Sequence, residues 1–231
     1  MKYSNLLLLP IILLILSLLN SCAIDGTNKF NGFYGSVKEV TDFHYEFEDK
    51  FGEWTISEYD DPYYFKTEYN RDGNLSSLAF YFGEGNINYM HKYKYDDDQL
   101  IEHITYDNEG KTDSKTSYVW ISDRMAKFVE INTDGEKISE GSLLLKNSRV
   151  FESSFNYFDS IGEVESTTST SNSYSDNGIL LSFSVQDNDK TDIYWYEYVE
   201  FDEKRNPTKK LVFMNEETEP TDIWISEYEY Y

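Results

Sequence analysis

The feature that most restricts this chain is a turn that keeps returning. From about Phe65, runs of alternating residues are interrupted at Arg71-Asp72-Gly73-Asn74, Gly83-Glu84-Gly85-Asn86, Asp96-Asp97-Asp98 and Asn108-Glu109-Gly110. Further turns follow at Thr133-Asp134-Gly135, Ser160-Ile161-Gly162, Asp176-Asn177-Gly178, Asp187-Asn188-Asp189 and Lys204-Arg205-Asn206. The first four are about 12 residues apart, room for one strand and its turn. Asp-Gly and Asn-Gly supply the positive φ that tight hairpins need, so turn chemistry and strand pattern agree. An all-β antiparallel meander of repeated hairpins is predicted.

Composition supports strands, with 21 Tyr, 15 Phe and 4 Trp against only 4 Pro. In a strand, alternate residues share a face. Tyr194, Tyr196 and Tyr198 therefore lie opposite Ile193, Trp195 and Glu197; His91, Tyr93 and Tyr95 oppose Met90, Lys92 and Lys94; Trp224, Tyr228 and Tyr230 oppose Ile223, Ile225, Glu227 and Glu229. Rings on one side and mixed residues on the other predict an extended, twisted or coiled sheet, each strand packing on its sequence neighbours. The Ser/Thr-rich stretch 166–173 reads equally as a strand on an exposed edge or as a loop.

Tyr69-Asn70-Arg71-Asp72-Gly73-Asn74, Tyr95-Asp96 and Tyr106-Asp107-Asn108-Glu109-Gly110-Lys111 resemble the Tyr-Asp-x-x-Gly-x units of YD-repeat (Rhs-like) proteins. Degenerate copies follow at Phe158-Asp159, Tyr174-Ser175 and Phe201-Asp202, the last with Arg205 where the unit has Gly. The chain is similar to the small YD-repeat lipoproteins of Bacteroidetes. That resemblance implies a hairpin array on a lipid anchor and brings no catalytic residues with it.

At the N-terminus, Lys2 precedes an apolar run from Leu6 to Leu19, interrupted by Pro10. The run is shorter than the ~20 residues a spanning helix needs, so it reads as an export signal. It closes with Leu19-Asn20-Ser21-Cys22, which resembles the lipobox of bacterial lipoproteins. The resemblance implies cleavage between Ser21 and Cys22 and acylation of Cys22, the only cysteine. A single acyl chain anchors marginally, whereas two or three hold firmly. The expected organisation is a signal at 1–21, a lipidated cysteine and tether at 22–32, and a repeat domain at 33–231. Ala23, rather than Asp, after the cysteine resembles lipoproteins sent to the outer membrane.

Without Lys2 the chain carries 19 basic and 43 acidic residues, a net charge of −24. Such a chain repels polyanions and argues against nucleic-acid partners. His44, His91 and His103 are too scattered for a metal motif, although His91 and His103 stand one repeat step apart and can be cross-strand neighbours. No cofactor loop or Gly-x-Ser-x-Gly elbow occurs. Two function classes follow. One is a non-catalytic, lipid-anchored envelope protein that presents a β face to a protein or glycan, with Trp120, Tyr194, Trp195, Tyr196, Tyr198 and Trp224 as the candidate binding residues. The other is a glycan-acting enzyme using paired carboxylates.

Overall fold

A computed structural model describes residues 33–231 except 51–52, 57–62, 84, 147–148 and 177. The signal, Cys22 and the tether lie outside the described residues. Strands β1 (Val37–Tyr45), β4 (Tyr63–Tyr69), β5 (Leu75–Phe82), β6 (Asn86–Asp96), β7 (Gln99–Tyr106), β8 (Thr112–Ser122) and β9 (Met125–Asn132) form half of the main sheet. The other half comprises β10 (Lys137–Lys146), β11 (Arg149–Phe158), β12 (Val164–Tyr174), β13 (Leu180–Asp187), β14 (Lys190–Phe201), β15 (Pro207–Met214) and β16 (Asp222–Tyr230). A separate two-stranded ribbon, β2 (Phe47–Lys50) and β3 (Glu53–Ile56), falls between β1 and β4.

The meander of hairpins is present, but the sheet is neither extended nor coiled: it closes into a barrel in the order β1-β16-β15 and so on down to β4, which pairs back on β1. Val40 meets Tyr228 on one side and Thr67 on the other, so β1 is the seam. Closure removes both open edges, whose unpaired N–H and C=O groups would otherwise invite further strands. The stretch 166–173 belongs to β12, which is paired on both sides by β11 and β13 and is not an edge.

Six hairpins share one turn geometry. In the turn starting at Asp107, its backbone N–H donates to Lys111 O (2.9 Å), Gly110 N–H donates to Asp107 O (3.1 Å), and its carboxylate accepts from Glu109 N and Lys111 N (both 2.9 Å). The same set recurs from Asn70, Asn132, Asp159 and Asp202. Ser175 supplies a shorter version through its hydroxyl. Short polar side chains can bond backbone N–H groups two and four residues on, which is why the motif needs Asp, Asn or Ser first. The fourth residue has positive φ, from 71° to 84°, and is Gly in every copy except Arg205. A bulge beside each turn, as between Glu68 and Tyr69 or Thr105 and Tyr106, absorbs the odd residue.

Most of the buried rings point inward and most of the cross-strand ion pairs lie outside, although Trp195 and Phe213, and Tyr64 and Tyr81, stack on the outer wall. Phe65, Tyr69, Leu78, Phe80, Tyr118, Phe128, Leu143 and Phe183 are buried inside. Outside, Lys66 reaches Glu39 (2.8 Å), Lys115 reaches Glu102 (2.5 Å) and Lys38 reaches Glu229 (2.6 Å) across strands. A barrel of this many strands would hold a wide channel if its inward residues were small. The rings instead occupy much of that space, with Tyr93 and Tyr95 bridging two apolar clusters.

The two ends differ. At the end where β1 begins and β16 finishes, here the terminal end, ring donors near the end of one strand reach a carbonyl at the start of the preceding one. Trp120 Nε1 donates to Leu100 O (2.9 Å), Tyr174 OH to Val150 O (2.9 Å), Tyr198 OH to Leu180 O (2.6 Å) and Tyr228 OH to Pro207 O (2.7 Å). Phe33 packs between Tyr69 and Tyr228 at the same end. Fully buried Asn206 holds the neighbouring backbone, accepting from Tyr34 N (2.6 Å) and donating to Tyr34 O (2.9 Å).

Candidate functional site

Because strand register is fixed by the turns, inward residues of adjacent strands fall into rows. One row crosses five strands: Tyr198, Lys210, Trp224, His44 and Tyr63. It puts a lysine on the inner wall, among rings, hydroxyls, aliphatic side chains and a few carboxylates such as Asp42 and Glu130. Lys210 Nζ stands 4.7 Å from the centre of the Trp224 ring and 5.3 Å from that of Tyr196. Both faces attract a cation through the ring quadrupole.

The ammonium makes no hydrogen bond or ion pair with any described residue. Burial pushes its pKa down, opposed by the negative field of Asp42. Asp42 faces the same space and accepts a hydrogen bond from Ser226 Oγ. Asp222, 30% exposed, accepts from His44 Nε2 at 2.5 Å and from Thr221 Oγ1 at 2.9 Å. The His44 ring stacks on Tyr63 at 4.2 Å and meets Trp224 edge-on at 5.1 Å. Lys210, Asp42, Tyr196 and Trp224 all keep some accessible surface although they face the barrel interior, so they border an internal space. Asp222 and Tyr194, one step nearer the opposite end from the termini, are also partly exposed. The arrangement offers the three N–H donors of one ammonium, with the carboxylates of Asp42 and Asp222 on the same inner wall, in an environment where charge–charge interactions exceed their strength in water.

A second polar group lies deeper. His91 and His103 sit diagonally on adjacent strands, paired with Thr105 and Tyr93, and their rings are 5.5 Å apart. His91 Nδ1 bonds Thr105 Oγ1 (3.0 Å), and His103 bonds Tyr118 OH (3.0 Å) and Thr116 Oγ1 (3.2 Å). Burial lowers their pKa values to about 3 and about 4. Both are therefore neutral core residues, and no group of three His, Cys, Asp or Glu among the described residues is disposed to hold a metal.

The aromatic residues singled out in the sequence do not form one outward face. Tyr194, Tyr196, Tyr198 and Trp224 come together on the inner wall. Trp195 is outside, stacked on Phe213 at 3.8 Å. Trp120 is inside but on β8, with its indole N–H taken by Leu100 O. The reason is parity: residues one apart on a strand face opposite sides of a closed wall. Lys210 was missed, although Lys209-Lys210 within an apolar strand forces one lysine inward.

No family model matches the chain, and no curated protein matches it in sequence. Porin-like proteins from Bacteroides uniformis and Bacteroides vulgatus superpose with a TM-score of 0.43 at 10% and 14% identity, covering 84% of this chain and 98% of each of theirs. So distant a likeness carries no argument, and the barrel is established by its own strand pairing.

Proposed function

We propose that this protein is a lipid-anchored envelope barrel, non-catalytic, that binds a small hydroxylated carboxylate, such as a sugar acid, inside its lumen at Lys210. The observation that carries the reading is the enclosed Lys210 ammonium, without an acceptor among the described residues and held between Tyr196 and Trp224. A carboxylate would satisfy its donors, and Asp42, Asp222 and His44 would take up hydroxyls. An interior site built to hydrogen-bond a ligand rejects analogues that lack the matching group, because its own polar atoms are then left unpaired.

The body stands in water rather than in a bilayer. Spanning barrels carry an apolar outer band, and a lysine at mid-membrane costs about 2–4 kcal/mol. Here Lys66, Lys92, Lys115, Lys127 and Glu140 occupy mid-strand outward positions, so attachment falls to Cys22 and its lipid. Cys22→Ser tests that attachment: the variant leaves the membrane fraction, whereas retention there refutes it.

Isothermal calorimetry with glucuronate, glucose and acetate tests the site. Glucuronate is expected to bind, glucose and acetate at least tenfold more weakly, and Lys210→Met to abolish binding while leaving the circular dichroism spectrum unchanged. Equal heats for glucuronate and glucose, or undiminished binding by Lys210→Met, refute the assignment.

A further inference from the structure

The two ends of the barrel differ in charge, and the difference follows the chain's own attachment. All four arginines of the sequence, Arg71, Arg124, Arg149 and Arg205, stand at the terminal end, where Phe33 is wedged between Tyr69 and Tyr228. Arg71, Arg124 and Arg205 are exposed there, together with Lys146 and Lys204. These cations belong to four different hairpins and so are spread around the rim. Counted with the strand residue on either side, the described turns at this end hold eight acids and six bases. Those joining neighbouring barrel strands at the far end, counted the same way, hold twelve acids, among them Glu109, Asp134, Glu163 and Glu217, against Lys111, Lys137 and Lys190.

We infer that the terminal end is a membrane-facing surface, with its rim cations set against the phosphates of the bilayer that carries the lipid on Cys22. This rests on the anchoring proposed above. Three features select the bilayer as the occupant. Roughly 11 residues separate Cys22 from Phe33, a reach of at most ~40 Å, so the lipid cannot be far from this rim. Asn206 clamps Tyr34, so the chain leaves the barrel at this end. Arginine also matches phosphate oxygens in a bidentate fork, which lysine does not. An anionic surface repels the far end, whose charge is strongly negative, and tolerates the terminal end, which is nearly balanced; the torque this produces acts within about a Debye length, ~10 Å at 0.1 M salt.

Acylation of Cys22 leaves an introduced thiol as the only free one, so single-site labels report orientation. The full-length protein, processed and purified from bacterial membranes, is labelled with bimane at Asp123→Cys (terminal end) or Thr133→Cys (far end). It is then placed in phosphatidylethanolamine–phosphatidylglycerol vesicles containing a headgroup nitroxide quencher. The label at 123 is expected to be quenched at least threefold more than that at 133, and Arg71→Glu with Arg124→Glu to narrow the ratio toward one. Flotation with the vesicles combined with equal quenching, or greater quenching at 133, overturns the inference alone. Failure to float overturns the anchor, and the inference with it.

Discussion

Arg205 allows the turn chemistry to be tested as free energy. It adopts φ = 71° in a turn whose backbone bonds match the other copies, Arg205 N–H donating to Asp202 O at 3.0 Å. An L side chain in the left-handed region costs roughly 1–2 kcal/mol. Glycine removes that cost but gives back roughly 0.5–1 kcal/mol of unfolded-chain entropy. The exposed guanidinium has no hydrogen bond or ion pair among the described residues, so its loss adds little. Arg205→Gly should therefore stabilise the fold by about 0.5–1 kcal/mol, or about 1–4 °C in Tm for a domain of this size. Gly162→Ala is the mirror experiment. A Cβ there meets nothing within 4 Å, so its cost is purely that of the backbone at φ = 81° and should be about 1 kcal/mol. Urea unfolding monitored by tryptophan fluorescence measures both. If Arg205→Gly lowers stability, or if both changes are neutral, the six turns are not energetically equivalent and the repeat reasoning fails.

Other consequences follow from burial. Gly141 faces inward, and a Cβ on it would lie 1.9 Å from Ser154 O and 2.6 Å from Phe128 Cζ; Gly141→Ala should cost about 1–3 kcal/mol, seen as a lowered urea midpoint at unchanged m-value. His91 and His103 stay neutral in the fold down to about pH 3 and 4 but take up protons near 6.5 when unfolded. Their folded pKa values lie below the unfolded ones, so the unfolded chain binds more protons and stability falls as pH drops from about 6.5 toward 4. In a pH series of urea curves, His103→Phe should flatten part of that slope; an unaltered slope would falsify the assignment. Lys210→Met removes a desolvated charge and should raise stability in the absence of ligand, a gain checked in the same urea assay.

The local features of this fold were readable because they are set by near neighbours. Each Asp-x-x-Gly turn fixes its own geometry within five residues, and period-two alternation placed Tyr194, Tyr196, Tyr198 and Trp224 on ringed faces. Closure was not readable. It depends on β1 meeting β16, where Lys38 and Glu229 are separated by 191 positions, and no local signal tells a coiled meander from a sealed one. The same gap misplaced the candidate site: until the sheet is known to close, a ringed face can be outer or inner. Trp195 is separated from Tyr194, Tyr196 and Tyr198 by alternation alone, so the six aromatic residues span both sides of the wall and cannot share one binding face. Asn70, Asp107 and Asp159 were legible as turn residues, but Lys210 gains meaning only once its side of the wall is known to be the inside.

The most direct test of the account is a ¹³C NMR pH titration of protein grown with [¹³Cε]lysine, with the Lys210 resonance assigned by its disappearance in Lys210→Met. One resonance should titrate below all the other lysines and move when glucuronate, but not glucose, is added. If every lysine titrates together and none responds to glucuronate, there is no enclosed cation, and the lumen site is contradicted.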